Sequence, residues 1–205
     1  MASLILQAIM KITLLAKAWI KLAIKATVFK ASLQIADMDR HYYAEHALTL
    51  SRHPSETDER MMVRLLTFAL NADEFLAFGQ GMTDDESADL WKKDLTGAIV
   101  LWIDVGLPDE KLIRKACGRA NHVIVYCYGG NAAQLWYEQN AKGFMRLHNL
   151  SVVSLSQTCT QAMVKLVERT MQLQCNIQDG QVWLMNNQDS VLIEQSILKT
   201  ATSTH

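Results

Sequence analysis

Proline is scarce in this chain of 205 residues: only Pro54 and Pro108 occur, and no low-complexity tract, internal repeat or linker divides the sequence. That argues for one domain, and the length suffices to bury a full-sized core. Long uncharged apolar runs are missing too. Lys11 and Lys17 interrupt the apolar first twenty residues, so no stretch there reaches the ~18–20 residues that span a bilayer. A secretory signal places positive charge ahead of its apolar stretch, and the first ten residues carry no charged side chain. Neither charge is in excess. Twenty Lys and Arg against 21 Asp and Glu leave a formal net charge of −1, which argues against broad, sequence-independent DNA binding. Any nucleic-acid contact must use a local patch.

Other absences narrow the chemistry. Cys117, Cys127, Cys159 and Cys175 neither form a C-x-x-C pair nor cluster with histidine. This argues against zinc and fits free thiols in a reducing cytoplasm, most of them packed in apolar runs. Gly79-Gln80-Gly81 is too short for a phosphate-cradling loop, and no serine sits in a nucleophile elbow. His53 suits a helix cap, His122 opens a strand, and His41, His46 and His148 lack metal-ligand spacing.

What is present reads as a folded α/β chain, half apolar and one fifth charged. Phe29, Ala31, Leu33 and Ile35 alternate with polar residues as in a half-buried strand; Asp37-Met38-Asp39-Arg40 turns the chain into a second extended stretch over residues 43–50. A helix starts near His53-Pro54-Ser55-Glu56-Thr57-Asp58, capped by Ser55 with Asp58 or by His53 ahead of Pro54. Met62, Leu65, Leu66 and Ala69 form its inward stripe, and Glu59 projects from the same side. Residues 74–78 suggest a short strand and residues 83–93 a polar loop with a helical turn. Ile99–Val105 and residues 122–128 read as central strands, joined by a helix from Asp109 with Leu112, Ile113, Ala116 and Ala120 on its buried face: a βαβ crossover. A helix capped by Asn131 to about residue 140, a strand over Leu150–Leu155 and a helix over residues 158–167 follow. Asp179-Gly180 between alternating runs predicts a terminal hairpin.

Asp104 is the one charge inside a buried apolar run, where an unpaired carboxylate costs several kcal/mol. Hydrogen bonds from the turn at Val105-Gly106 or from the helix near Asp109 would relieve that cost, and so would a bound cation. The helix that follows places Lys111, Arg114, Lys115 and Arg119 on a basic face. Carboxylates for a divalent metal beside cations for phosphates would suit phosphodiester hydrolysis.

Five segments carry a family resemblance: Lys25-Ala26-Thr27, Ala36-Asp37-Met38-Asp39-Arg40, the run from His53 through Met62, Trp102-Ile103-Asp104-Val105-Gly106, and Ile177-Gln178-Asp179-Gly180. Together, over about residues 22–185, they resemble the YaeQ-like family, which is similar in fold to the PD-(D/E)XK nucleases. The resemblance implies a single α/β domain over residues 22–205, with a mixed central sheet, flanking helices, a restriction-endonuclease-like core and β-hairpins at both ends. It implies magnesium held by Glu59, Asp94 and Asp104, with Asp89 close to Asp94 in sequence. The superfamily's lysine position falls on Gly106, so Lys111 or Lys115 would supply that charge beside Asp104. Two functions follow: magnesium-dependent hydrolysis of nucleic acid, or non-catalytic binding of nucleic acid or a protein partner through Lys111, Arg114, Lys115 and Arg119. Leu22 stands where the family pattern opens with methionine, so residues 1–21 are expected to lie outside the fold. The alternative for them is an amphipathic helix on a membrane surface, and an intact-mass measurement separates the two.

Overall fold

The computed structural model describes residues 26–79 and 87–202. The expectations for residues 1–21 and for Gly81 lie outside these. Thr27–Asp37 (β1) and Tyr42–Arg52 (β2) form the opening hairpin, in unbroken antiparallel register from Thr27 opposite Arg52 to Asp37 opposite Tyr42. The closing hairpin is Thr170–Gln178 (β8) and Gln181–Met185 (β9), and both residues of its turn, Asp179 and Gly180, have positive φ. The two hairpins are neighbours, because β1 and β8 pair in parallel. With Ser190–Ile193 (β10) they build a five-stranded sheet in the order β10-β9-β8-β1-β2.

Asp39 locks the two hairpins at their turns. Its carboxylate accepts from the Asp179 N–H at 2.8 Å and the Gly180 N–H at 2.9 Å. Asp39→Ala is expected to lower stability by about 1 kcal/mol, the usual worth of such bonds, in urea unfolding. An unchanged midpoint would show that the turn–turn contact is dispensable.

The expected single central sheet is in fact two mixed sheets. The second contains Leu76–Phe78 (β3), Leu90–Lys93 (β4), Ile99–Val105 (β5), Ala120–Cys127 (β6), Leu150–Leu155 (β7) and Gln195–Lys199 (β11), in the order β11-β7-β6-β5-β4-β3. β5, β6 and β7 run parallel, joined by Glu110–Cys117 (α2) and Asn131–Phe144 (α3). Part of the segment expected as a loop is therefore strand β4, and Ala120 opens β6 instead of ending the helix face. Strands β10 and β11 have no counterpart among the expected elements. Helix α3 runs one turn longer than its pattern suggests, and its N-cap is Gly130, not Asn131.

Asp58–Leu70 (α1) lies between the sheets with Gln157–Met163 (α4), giving four α-helices among the described residues. Its cap is Thr57, whose hydroxyl accepts the Arg60 N–H at 3.1 Å. Neither Ser55 nor His53 caps it, because residues 53–56 first close a turn of their own, with the Glu56 N–H donated to the His53 carbonyl. Nine consecutive residues from Met61 through Ala69 are buried. Their contacts join the inner faces of both sheets in one core, through Leu33, Ile35, Leu173 and Leu184 on one side and Ile103, Val105 and Tyr126 on the other. A second core, with Trp102, Ile113, Val123, Val125 and Phe144, lies between the other face of the second sheet and helices α2 and α3. No helix among the described residues is long and apolar enough to cross a membrane.

Candidate functional site

A helix buried on every side must still place its polar residues, and α1 carries Arg64 into the interior. Arg64 donates from Nε and Nη2 to the two carboxylate oxygens of Glu56, at 2.7 and 2.8 Å, and from Nη2 to the Ser51 carbonyl at 3.2 Å. One helical turn earlier, Arg60 donates from Nη1 to Glu56 at 2.9 Å. Its Nη2 reaches both oxygens of Asp89, at 2.8 and 2.7 Å. Asp89, just ahead of β4, also accepts the Val105 N–H at 2.9 Å and so ties the start of β4 to the end of β5. Two arginines and two carboxylates thus balance in a nearly closed network. Tyr128, at the end of β6, looks onto the same charges. Burial pushes its hydroxyl above the ordinary range, Arg60 opposes this, and Glu59, Glu56 and Asp89 add to it.

The residues singled out from sequence are not gathered in this cluster. Glu59 does project inward, accepting the Thr160 hydroxyl of α4 at 2.6 Å. Asp94 lies at the opposite end of β4 from Asp89, in the β4–β5 turn, where it accepts from Thr96 and Ala98. Asp104 shares the pleat side of Trp102, toward α2, where burial raises the Cys117 thiol, Lys199 opposes this and Asp104 adds to it. Ile103 and Val105 take the α1 side, so Glu59 and Asp104 belong to opposite faces of the second sheet. Lys111, Arg114, Lys115 and Arg119 are all exposed, on or just beyond α2, and stand apart from the arginine network.

The hydrogen bonds foreseen for Asp104 from the turn and from the next helix go elsewhere. The Val105 N–H goes to Asp89, the Gly106 N–H to the Tyr126 carbonyl, and the first amides of α2 to Asp109. Burial lifts the Asp104 carboxyl to about 7; the Trp102 indole N–H, the backbone N–H of Asp89 and the charge of Arg60 favour ionisation, while the charge of Asp89 adds to the rise. That indole nitrogen is buried and has no partner at hydrogen-bond geometry among the described residues.

Magnesium, which the nuclease resemblance implies, does not fit these side chains. All four carboxylate oxygens of Glu56 and Asp89 already accept from guanidinium groups, Glu59 is bonded to Thr160, and Asp104 faces away from Glu59. Among the described residues no three His, Cys, Asp or Glu side chains are placed to hold a metal ion. The expected ligand set of Glu59, Asp94 and Asp104 is therefore not assembled. Arg60 lies against both carboxylate oxygens of Asp89. The sequence spaces Glu56, Arg60 and Arg64 four residues apart, but Glu56 lies in the turn ahead of the Thr57 cap, so this spacing does not by itself define one helical side.

The family model described as "YaeQ protein" matches residues 22–195. The chain is 42% identical over 170 residues to the uncharacterised protein YaeQ of Escherichia coli (strain K12), covering 83% of this chain and 94% of that one. Identity to the YaeQ of Salmonella typhi is 42% over 173 residues, 84% and 96% of the two chains. Among solved structures, the YaeQ protein from Xanthomonas axonopodis pv. citri superposes with a TM-score of 0.82 at 48% identity, covering 85% of this chain and 98% of that one. The YaeQ protein from Pseudomonas syringae gives the same TM-score at 30% identity, with 85% and 97% covered.

Proposed function

This chain belongs to the YaeQ family, and from that premise we propose that it binds nucleic acid without cleaving it, on a scaffold like that of the PD-(D/E)XK nucleases. The scaffold reading rests on element order. A helix carrying Glu59, a strand preceded by Asp89 and a next strand carrying Asp104 follow one another as the superfamily's helix glutamate, first aspartate and (D/E) position do. The observation that carries the absence of hydrolysis is the Arg60 guanidinium held by Glu56 and Asp89. A fixed internal cation leaves those carboxylates no capacity to hold a metal or to polarise an attacking water. Binding is assigned to the exposed side chains of Lys111, Arg114, Lys115 and Arg119, a local basic patch on a nearly neutral protein.

The test combines binding and cleavage, with single- and double-stranded DNA and RNA oligonucleotides. Fluorescence anisotropy should show salt-dependent binding, and gels run after incubation with Mg²⁺ or Mn²⁺ should show intact strands. Reversing three charges (K111E, R114E and K115E together) should weaken binding and reduce the log–log salt slope by about 2–3, near one unit per lost phosphate contact. Metal-dependent cleavage that disappears in Asp89→Asn would overturn the reading in favour of a nuclease. A lack of binding to every oligonucleotide would leave the basic face to a protein partner.

A further inference from the structure

Strand edges invite pairing, and proteins blunt them with short strands, lysine, proline or bulges. Three of the four edges in the two sheets follow that rule. β3 has three residues and β10 has four, while β11 has five, ends in Lys199 and carries a register irregularity between Ile197 and Lys199. β2 does not. It spans 11 residues at the rim of the first sheet, contains neither proline nor lysine, and pairs with β1 without a bulge. Among the described strands nothing lies on its outer side. Its core-side residues Ala44, His46 and Leu48 remain only half-buried, because the layer they belong to stops with them.

We propose that β2 pairs with β2 of a second copy of this chain, antiparallel about a two-fold axis at Ala47, to make a continuous ten-stranded sheet. The pattern of the strand carries the choice of occupant. In that register Tyr42 lies opposite the second copy's Arg52, Tyr43 opposite Ser51, Ala44 opposite Leu50, Glu45 opposite Thr49 and His46 opposite Leu48. No like charges oppose each other at any position. Exposed Ala47, at the middle of the strand, falls on the axis and meets itself without a clash of large side chains. An isologous contact requires this kind of self-complementarity, and here Glu45 and Arg52, the strand's formally charged residues, each face a neutral side chain. Pairing the full strand would add about ten backbone hydrogen bonds, two for every alternate residue pair. Half-buried Leu48 and Tyr42, which already pack on the core, would be covered from the open side.

Sedimentation velocity and light scattering on the full chain test the proposal, with two lysine variants of the same exposed strand face. The wild-type chain should have twice the chain mass at micromolar concentration. Ala47→Lys brings two ammonium groups together on the axis and should shift dissociation to concentrations about tenfold higher or more. Thr49→Lys brings a lysine opposite Glu45 and should keep or tighten the dimer. Both variants place lysine on a solvated surface, so matching circular dichroism spectra confirm that neither unfolds the monomer. A monomer at every concentration overturns the proposal. A dimer indifferent to Ala47→Lys, or equally lost in both variants, overturns the register and with it the argument for a second copy.

Discussion

Replacing Glu56 by glutamine is expected to cost about 3–5 kcal/mol, the penalty for removing one partner from a buried charge network. Glu56 is the centre of that network, because its two oxygens satisfy Arg60 once and Arg64 twice. Both its side chain and that of Arg64 are almost sealed from solvent, at 2% and 5% exposure, so water cannot take the place of the lost charge. Arg60 keeps Asp89, but Arg64 keeps no carboxylate, only the Ser51 carbonyl and the face of the Phe78 ring. The comparison is Asp58→Asn. Asp58 pairs with Arg52 at 2.7 Å at 40% exposure, where an ion pair contributes about 0–1 kcal/mol. Urea unfolding of both variants checks the contrast. A Glu56→Gln protein no less stable than Asp58→Asn would mean that the arginines are not held as described, and the proposed role of Arg60 would fall with it.

Asp104→Asn is expected to act in the opposite direction and stabilise the protein at pH 8. The native carboxyl is lifted from 3.8 to about 7, so the folded state resists ionisation. The contribution of the protonated group is complete below about pH 4, where both states carry the proton. It declines as the unfolded chain ionises first and is lost by the time pH passes about 7. A tenfold difference in proton affinity between the folded and unfolded states corresponds to about 1.4 kcal/mol. Solvent still reaches the residue partly, so a gain of about 2–4 kcal/mol is expected for the variant at pH 8. The gap between variant and wild type should widen from pH 5 to pH 8. Taking that difference cancels His46 and His122, whose lowered values are the same in both proteins. Parallel pH profiles, or a variant less stable than wild type, would show that Asp104 serves as an acceptor for buried donors.

These two residues mark how far the candidate site is legible. Asp104 stands out because an acid in a run of Ile, Leu, Trp and Val breaks a strong pattern. The side of the sheet it faces does not, because strand residues alternate and a one-residue difference in register reverses every side chain. Spacing from Asp104 favours Asp94 over Asp89. The antiparallel pairing of Leu90 with Ile103 brings Asp89 beside the end of β5 and leaves Asp94 at the far turn. Periodicity places Glu59 inward, as the structure has it, whereas it gives neighbouring Arg60 no role. A guanidinium in sequence carries no sign of the carboxylates it will meet, and Asp89 lies 29 residues away.

Sequence alone determined the elements whose evidence is local. The strands buried on both faces, the alternation of β1 and β8, the Asp-Gly turn and the inward stripe of α1 all follow from periodicities of two and 3.6 residues. The family was equally legible, in short segments about the His53 turn and the Asp104 strand. Tertiary structure decided the rest. It laid β1 beside β8, some 140 residues apart in the chain, so that one expected sheet became two. It capped α1 at Thr57, exposed an 11-residue edge at β2, and turned Asp104 away from Glu59 while closing Arg60 between Glu56 and Asp89. The physical reason is common to all of these. A local pattern states which side of an element must be buried, but which charges then meet depends on what covers that side, and contacts between distant segments settle this only when the whole core closes.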